Sequence, residues 1–228
     1  MSALRLAVFD MDGTLMDSQD FIVRAMEGAF TAFSLPAPPR ARILSIVGLS
    51  LYEAVARLIP DQAEDLIAQV AEAYKACFIA QRAETGGEAS APLYPGAKAV
   101  LETLAARPGV ALGVATGKAR RGLDHACAAH DLDRFFTTRQ TADHHPSKPH
   151  PSMVLSCLQE TGAAAASTVM IGDTTFDIEM GRAAEVRTLG VTWGYHDASD
   201  LRAAGADMLV DGFDAVPGAL DELWEGSA

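Results

Sequence analysis

The sequence lacks long apolar runs, clustered cysteines and a recognisable targeting segment. No apolar run approaches the roughly 20 residues that span a bilayer, and the stretch near the N-terminus is too short for a signal-peptide core. The three cysteines are widely spaced and form no CxxC pair, which argues against a disulfide framework or a zinc site. We therefore expect a cytoplasmic protein that does not bind membranes.

Clustered positive charge is also missing. Lysine and arginine number 18 against 30 acidic residues, a formal net charge of −12. Proteins that bind nucleic acids hold the phosphate backbone with basic patches, and no basic cluster here is larger than residues 119–121. We expect no nucleic-acid partner. An anionic ligand would need a local source of positive potential, such as a metal ion, a lysine or a helix N-terminus.

Short apolar runs alternate with segments of helical periodicity. Several of the runs are continuously apolar, which is typical of parallel strands that are buried on both faces. The pattern predicts an α/β fold with a doubly wound, mainly parallel, Rossmann-like sheet. The predicted strands are 4–9, 110–115, 135–138, 168–171, 186–191 and 208–210, and the predicted helices between them are 97–106, 118–129, 151–161, 175–184 and 214–224.

One region interrupts this alternation. From about residue 18 to residue 83 the sequence shows only helical spacing of apolar residues, separated by turn-forming segments. We predict an all-helical cap domain over 18–89, inserted into an α/β core domain that comprises 1–17 and 90–228.

Polar side chains follow several of the predicted strands. In an open α/β sheet ligands bind beyond the carboxyl ends of the strands, so these side chains are expected to meet at one edge. Four carboxylates at one edge require a cation, and oxygen ligands favour Mg²⁺, which carboxylates hold together with a substrate phosphate. A lysine there suits a phosphoryl group. The residues concerned are Asp10, Asp12, Thr116, Lys148, Asp173 and Asp177.

Two spacings within this set lead to further predictions. If Asp10 attacks phosphorus, Asp12 can be held protonated by its neighbour's charge and donate to the leaving oxygen. Asp173 and Asp177 lie four residues apart, so we expect them to share a helix face and to repel each other unless a cation lies between them.

Four segments carry a resemblance to a known family. The stretches "FDMDGTLMDS", "VATGK", "SKPHP" and "IGDTTFD" resemble, in order and spacing, the four signature motifs of the haloacid dehalogenase superfamily of phosphotransferases. The similarity covers essentially the whole chain, and the helical block resembles the small helical cap of that superfamily. Phosphoglycolate-phosphatase-like proteins are the most similar in pattern.

The resemblance implies roles for the acidic residues. Asp10 would be the nucleophile that forms an aspartyl-phosphate, and Asp12 would be the general acid and then the base. Mg²⁺ would be bound by Asp10, by the backbone carbonyl of Asp12 and by Asp173. Asp177 would support the metal indirectly or through a water molecule.

The resemblance also implies contacts to the phosphoryl group. These would come from Met11, Asp12, Thr116, Gly117 and Lys148, with Thr116 and Lys148 counted among the catalytic residues. The chain departs from the family pattern at Gly117, because an asparagine commonly follows the threonine of this motif. A backbone N–H survives that difference, whereas a side-chain contact does not.

The expected activity is Mg²⁺-dependent hydrolysis of a small phosphorylated metabolite, with a phosphoglycolate-type substrate favoured and the cap excluding water. Two alternatives remain open at this point. One is a sugar phosphomutase similar to β-phosphoglucomutase, and the other is a catalytically silent binding protein that retains the fold. The sequence is compatible with a monomer or a homodimer.

Overall fold

The computed structural model describes residues 4–85 and 91–226. Six parallel strands form one sheet in the order β3-β2-β1-β4-β5-β6. The strands are β1 (Arg5–Phe9), β2 (Val110–Thr116), β3 (Phe136–Thr141), β4 (Thr168–Gly172), β5 (Arg187–Val191) and β6 (Met208–Val210).

The helices of the described residues fall into two groups. The first group lies between β1 and β2 and consists of α1 (Gln19–Ala32), α2 (Arg40–Leu44), α3 (Leu51–Leu58) and α4 (Glu64–Thr85). The others are α5 (Ala97–Ala105), α6 (Arg120–His130), α7 (Ser152–Thr161), α8 (Thr175–Ala183), α9 (Ala198–Ala203) and α10 (Val216–Glu225). Within residues 4–85 and 91–226 we find no helix with the length and apolar character that a membrane span requires.

The central strand β1 is buried on both faces, as its continuous apolar sequence predicts. Ala7 and Phe9 face one hydrophobic cluster, and Leu6 and Val8 face another on the opposite side of the sheet. Its neighbours are β2 and β4, and both pair with it in parallel. The predicted α/β fold with a doubly wound parallel sheet is confirmed.

The predicted element boundaries agree with the structure to within two residues, except at the end of one strand. Strand β3 runs on to Thr141, past the predicted end at residue 138. Its last three residues are polar, so the apolar run that predicts the strand stops before this edge strand ends. Helix α9 was not predicted. It has six residues and buries only Leu201, so it leaves no apolar periodicity to detect.

Helices α1 to α4 form a separate hydrophobic cluster that contains Met26, Phe30 and Val70. The chain enters and leaves this block through adjacent segments, since the Asp17 N–H donates to the Pro92 carbonyl at 2.8 Å. Every regular element in the described part of 18–89 is a helix. The domain boundary at 89/90 itself lies outside the described residues.

Gly117 lies where the helical block meets the sheet. A Cβ atom at this position would overlap the backbone carbonyl oxygens of Gly48 and Leu49, in the turn before α3. The backbone of that turn therefore packs directly on the residue that follows β2. This close approach leaves no space for a side chain at residue 117.

We predict that Gly117→Ala lowers the free energy of unfolding by about 1–3 kcal/mol, because the new methyl group forces the turn away from the sheet. Urea unfolding of the wild type and the variant measures this change. Gly218→Ala is the matched control, since a Cβ atom there has no neighbour within 4 Å and the residue lies in α10. We expect the control to be neutral or slightly stabilising. Equal stability of Gly117→Ala and the wild type would contradict the prediction.

Candidate active site

Three central strands bring the predicted site residues to one edge of the sheet. Asp10 directly follows β1, Thr116 is the last residue of β2, and Asp173 directly follows β4. The parallel register aligns these ends, because Phe9 lies beside both Val114 and Ile171. The structure thus collects residues that are more than 160 positions apart in the sequence.

Lys148 lies between two of the carboxylates and is completely buried. Its Nζ atom is 3.0 Å from Asp10 Oδ1 and 2.6 Å from Asp177 Oδ1. Burial alone would lower the pKa of Lys148, but the attraction of Asp10 and Asp177 outweighs it and raises that pKa above its ordinary value. The lysine is therefore charged at neutral pH.

Asp177 holds this lysine from the first turn of α8. Its Oδ2 atom accepts hydrogen bonds from the Thr174 backbone N–H at 3.1 Å and from the Thr174 hydroxyl at 2.7 Å. Together with the reciprocal bond from the Asp177 N–H to the Thr174 hydroxyl, these contacts form the capping box of the helix. Both carboxylate oxygens of Asp177 are thus occupied by donors of the protein.

Asp173 lies before the first residue of α8, so the expectation that it shares a helix face with Asp177 was wrong. Its Oδ1 atom accepts a hydrogen bond from the Thr14 hydroxyl at 2.8 Å, and its Oδ2 atom accepts one from the Tyr195 N–H at 2.9 Å. Gly13, at φ +88°, packs so closely that a Cβ atom would overlap the Asp173 carboxylate. Burial, followed by repulsion from Asp177 and then Asp10, raises the pKa of Asp173 well above its usual range.

When ionised, the three buried carboxylates carry more negative charge than Lys148 neutralises. Asp10, Asp173 and Asp177 can each present one oxygen such that all three atoms lie within 4.8 Å of one another. Asp10 Oδ2 accepts no hydrogen bond from any residue in the described part of the chain. Burial raises the pKa of Asp10 to about 7 despite the opposing effect of Lys148. This donor set fits a hard divalent cation, which would supply the missing positive charge.

Asp12 differs from these carboxylates because it lies at the surface of a cleft. Its Oδ1 atom accepts a hydrogen bond from the Ser18 hydroxyl at 2.6 Å, and its Oδ2 atom forms an ion pair with Lys118 Nζ at 2.9 Å. The Ser18 hydroxyl is also 2.9 Å from the Tyr195 hydroxyl. These contacts fix the orientation of the Asp12 carboxylate.

Sequence reasoning did not assign four residues that the structure places around the carboxylates. Thr14, Ser18 and Lys118 lie inside the quoted motifs, so the motifs themselves were the available signal. Tyr195 follows β5 in a segment without a recognised motif, and only the fold brings it to the site.

Three other residues were predicted to contact a phosphoryl group, and two of them line the cleft. Gly117 lines the cleft, as does Thr116, whose hydroxyl accepts a hydrogen bond from the Lys118 N–H at 3.2 Å. The Met11 side chain is fully buried in the hydrophobic core, so Met11 can reach a ligand only through its backbone.

A cleft of about 400 Å³ lies between the sheet edge and the helical block. Asp10, Asp12, Thr116 and Lys118 form its polar side, and residues of α1, α3 and α4 form the opposite side. Asp10 thus connects the cleft with the fully buried carboxylate cluster. A small molecule that enters the cleft meets Asp10 and Asp12 together.

Comparison with known proteins agrees with this geometry. Residues 7–191 match the family described as haloacid dehalogenase-like hydrolase. The chain is 36% identical over 221 residues to "Probable phosphatase IndB" of Dickeya dadantii, which covers 96% of this chain and 94% of that protein.

More distant similarities extend over nearly the whole chain. It is 28% identical to a phosphoglycolate phosphatase of Haemophilus influenzae, over 92% of this chain and 95% of that protein. The fold resembles that of a hydrolase from Pseudomonas syringae with a TM-score of 0.83, at 24% identity and over 96% and 98% of the two chains. The resemblance found in the four motifs is therefore confirmed, and the chain belongs to the haloacid dehalogenase-like hydrolases.

Proposed function

We propose that the protein is a Mg²⁺-dependent phosphatase that hydrolyses a small phosphate monoester through an aspartyl-phosphate on Asp10. The observation that carries this proposal is the buried cluster of Asp10, Asp173 and Asp177, two of which pair with Lys148. The cluster has a negative excess that a metal ion would balance, and it meets the cleft at Asp10. The relatives named as phosphatases support the same chemistry.

In the first half of the reaction, an oxygen of the Asp10 carboxylate attacks the phosphorus atom. The bond between phosphorus and the ester oxygen breaks, and its electron pair leaves with that oxygen. Asp12 donates a proton to the leaving oxygen, so the product is a neutral alcohol. The hydrogen bond from Ser18 holds the Asp12 carboxyl group at the cleft, and the protonated form that this step needs does not keep the ion pair with Lys118.

In the second half, a water molecule attacks the phosphorus of the aspartyl-phosphate. Asp12 now accepts a proton from the water, and the bond between phosphorus and Asp10 breaks. Inorganic phosphate and the free Asp10 carboxylate result. The same residue thus serves as acid and then as base, which returns the enzyme to its starting protonation state.

We propose that Asp10, Asp173 and the backbone carbonyl of Asp12 hold the Mg²⁺. The bound ion supplies positive charge that offsets the buried carboxylates and the phosphoryl oxygens. Asp177 supports the site through Lys148, because its Oδ1 atom pairs with the lysine ammonium, whereas the Asp173 oxygens accept hydrogen bonds from neutral donors.

Phosphoryl oxygens would be held by Thr116, by the Gly117 N–H and by the Lys148 ammonium, together with the backbone of Met11 and Asp12. The first two lie at the end of β2 and line the cleft. Lys148 is 3.0 Å from Asp10 and carries the positive charge nearest to the attacking carboxylate. We further propose that the helices within 18–89 act as a cap domain over the core of 1–17 and 90–228.

The sequence pattern favours a phosphoglycolate-type substrate. Relatives of about 28% identity that are named phosphoglycolate phosphatase support it. The relative at 36% identity is named only as a phosphatase. The identity of the leaving group therefore depends on the cleft itself.

We predict that Asp10→Asn lowers the kcat for p-nitrophenyl phosphate by about 10³-fold or more, because an amide oxygen is a poor nucleophile. Release of inorganic phosphate in the presence of Mg²⁺ measures the effect, and excess EDTA should abolish wild-type turnover. Asp65→Asn, an exposed residue in the first turn of α4, is the control and should retain full activity. If Asp10→Asn hydrolyses the ester as fast as the wild type, the proposed nucleophile is wrong.

We predict that Mg²⁺ stabilises the metal-free protein. At a concentration about 100-fold above its Kd, a ligand that binds only the folded state adds about 2.7 kcal/mol, or several degrees in Tm. Asp173→Asn should lose most of this shift, because it removes one anionic ligand. Thermal unfolding with NaCl at matched ionic strength serves as the control. An equal shift with NaCl, or in Asp173→Asn, would argue against a magnesium site here.

We predict that Asp10 contributes progressively less to the stability of the metal-free protein as the pH rises from about 4 to about 7. Asp10 has an ordinary pKa of 3.8 and a pKa of about 7 in the folded protein, so folding favours its protonated form. The contribution of Asp10 to the free energy of unfolding is fully present below pH 3.8 and is lost as the pH rises through about 7. Asp10→Asn lacks this titration, so the wild type should lose unfolding free energy relative to the variant. Parallel pH dependences in urea unfolding would contradict the prediction.

A further inference from the structure

The cleft has an unusual concentration of exposed apolar side chains. Three large hydrophobic residues are well exposed within residues 4–85 and 91–226, namely Tyr52 at 45%, Ile79 at 42% and Leu155 at 47%. Two of these three, Tyr52 and Ile79, line the cleft. Single exposed hydrophobic residues are ordinary on a protein surface, but a pair at the same cavity indicates a surface that is covered by a ligand.

The apolar surface continues into the cleft along the helical block. Ile22 and Met26 of α1, Val47 before α3 and Phe78 of α4 all line it. The opposite side carries the polar residues at the ends of β1 and β2. The cleft is thus divided into a polar side that fits a phosphoryl group and an apolar side that faces the rest of the substrate.

Four basic side chains line the cleft, namely Lys75, Arg82, Lys118 and Arg121. Lys118 adjoins the polar side, but its ammonium is already paired with Asp12 at 2.9 Å and lies 5.4 Å from the centre of the Phe78 ring. Lys75 is exposed and paired with Glu72 at 2.6 Å. A glycolate carboxylate would have to compete with Asp12 for Lys118, or reach Arg82 in α4 or Arg121 in α6.

The size of the cleft favours a leaving group larger than glycolate. Its volume of about 400 Å³ lies within the range of about 300–1,000 Å³ that is typical of sites for small organic ligands. A two-carbon leaving group would fill only a small part of it. Gly117 adds no side chain to the polar side, and the backbone of Gly48 and Leu49 occupies the adjacent space. Specificity therefore depends on the apolar side.

We infer that the substrate is a phosphate monoester of an alcohol that carries an apolar ring, which packs against Tyr52, Phe78 and Ile79. This inference rests on the proposed phosphatase function and specifies its substrate class. Ring binding would also cover the two exposed side chains and exclude water from Asp10 and Asp12.

The test compares benzyl phosphate with 2-phosphoglycolate and ethyl phosphate, three esters of unactivated alcohols, in the presence of Mg²⁺. We expect the wild type to have a kcat/KM for benzyl phosphate at least about tenfold above that for either of the others. The double variant Tyr52→Ala/Ile79→Ser should lower kcat/KM for benzyl phosphate by about tenfold, mainly through KM, and leave ethyl phosphate unchanged. Leu155→Ser, at the third exposed hydrophobic residue, is the matched control and should change neither.

The outcomes separate this inference from the proposed function. If p-nitrophenyl phosphate is hydrolysed but phosphoglycolate is preferred to benzyl phosphate, the inferred substrate class is wrong and the proposed phosphatase function is supported. The substrate class is also wrong if the double variant lowers kcat/KM for benzyl phosphate and for ethyl phosphate equally. If no ester, including p-nitrophenyl phosphate, shows Mg²⁺-dependent hydrolysis, the proposed function fails and this inference fails with it.

Discussion

The buried excess of negative charge at the ends of β1 and β4 is the constraint on which the rest of the site depends. Asp10, Asp173 and Asp177 lie within reach of one another, and Lys148 offsets only part of their charge. Burying like charges without compensation is costly, so folding alone gives no reason for this cluster. The proposed cation would offset this excess of negative charge.

The surrounding structure holds this charge cluster in a fixed arrangement. The capping box of α8 binds one oxygen of Asp177 and turns the other towards Lys148. Thr14 and the Tyr195 N–H fix both oxygens of Asp173. The sheet supplies the strand ends, and its neighbouring loops supply the donors. Only Asp10 keeps an oxygen without a hydrogen bond from the described residues, and Asp10 is the member that faces the cleft.

Lys118 connects this polar site with the helical block. It pairs with Asp12 on one side and lies near the ring of Phe78 on the other, so the position of α4 bears on the carboxyl group that would transfer protons. Gly117 allows the turn before α3 to pack on the sheet. The helical block thus both shapes the apolar side of the cleft and contacts the residues next to the reacting groups.

The sequence by itself determined the α/β fold, the parallel sheet and the convergence of Asp10, Thr116 and Asp173, because strand periodicity and parallel topology bring strand ends to one edge. Lys148 was also identified from its motif. Tertiary structure alone decided which atoms meet: that Asp173 lies outside the helix of Asp177, and that distant residues such as Tyr195 complete the site. It also decided the apolar lining of the cleft. Such contacts depend on how separate elements pack, and the spacing of residues along the sequence does not predict that packing.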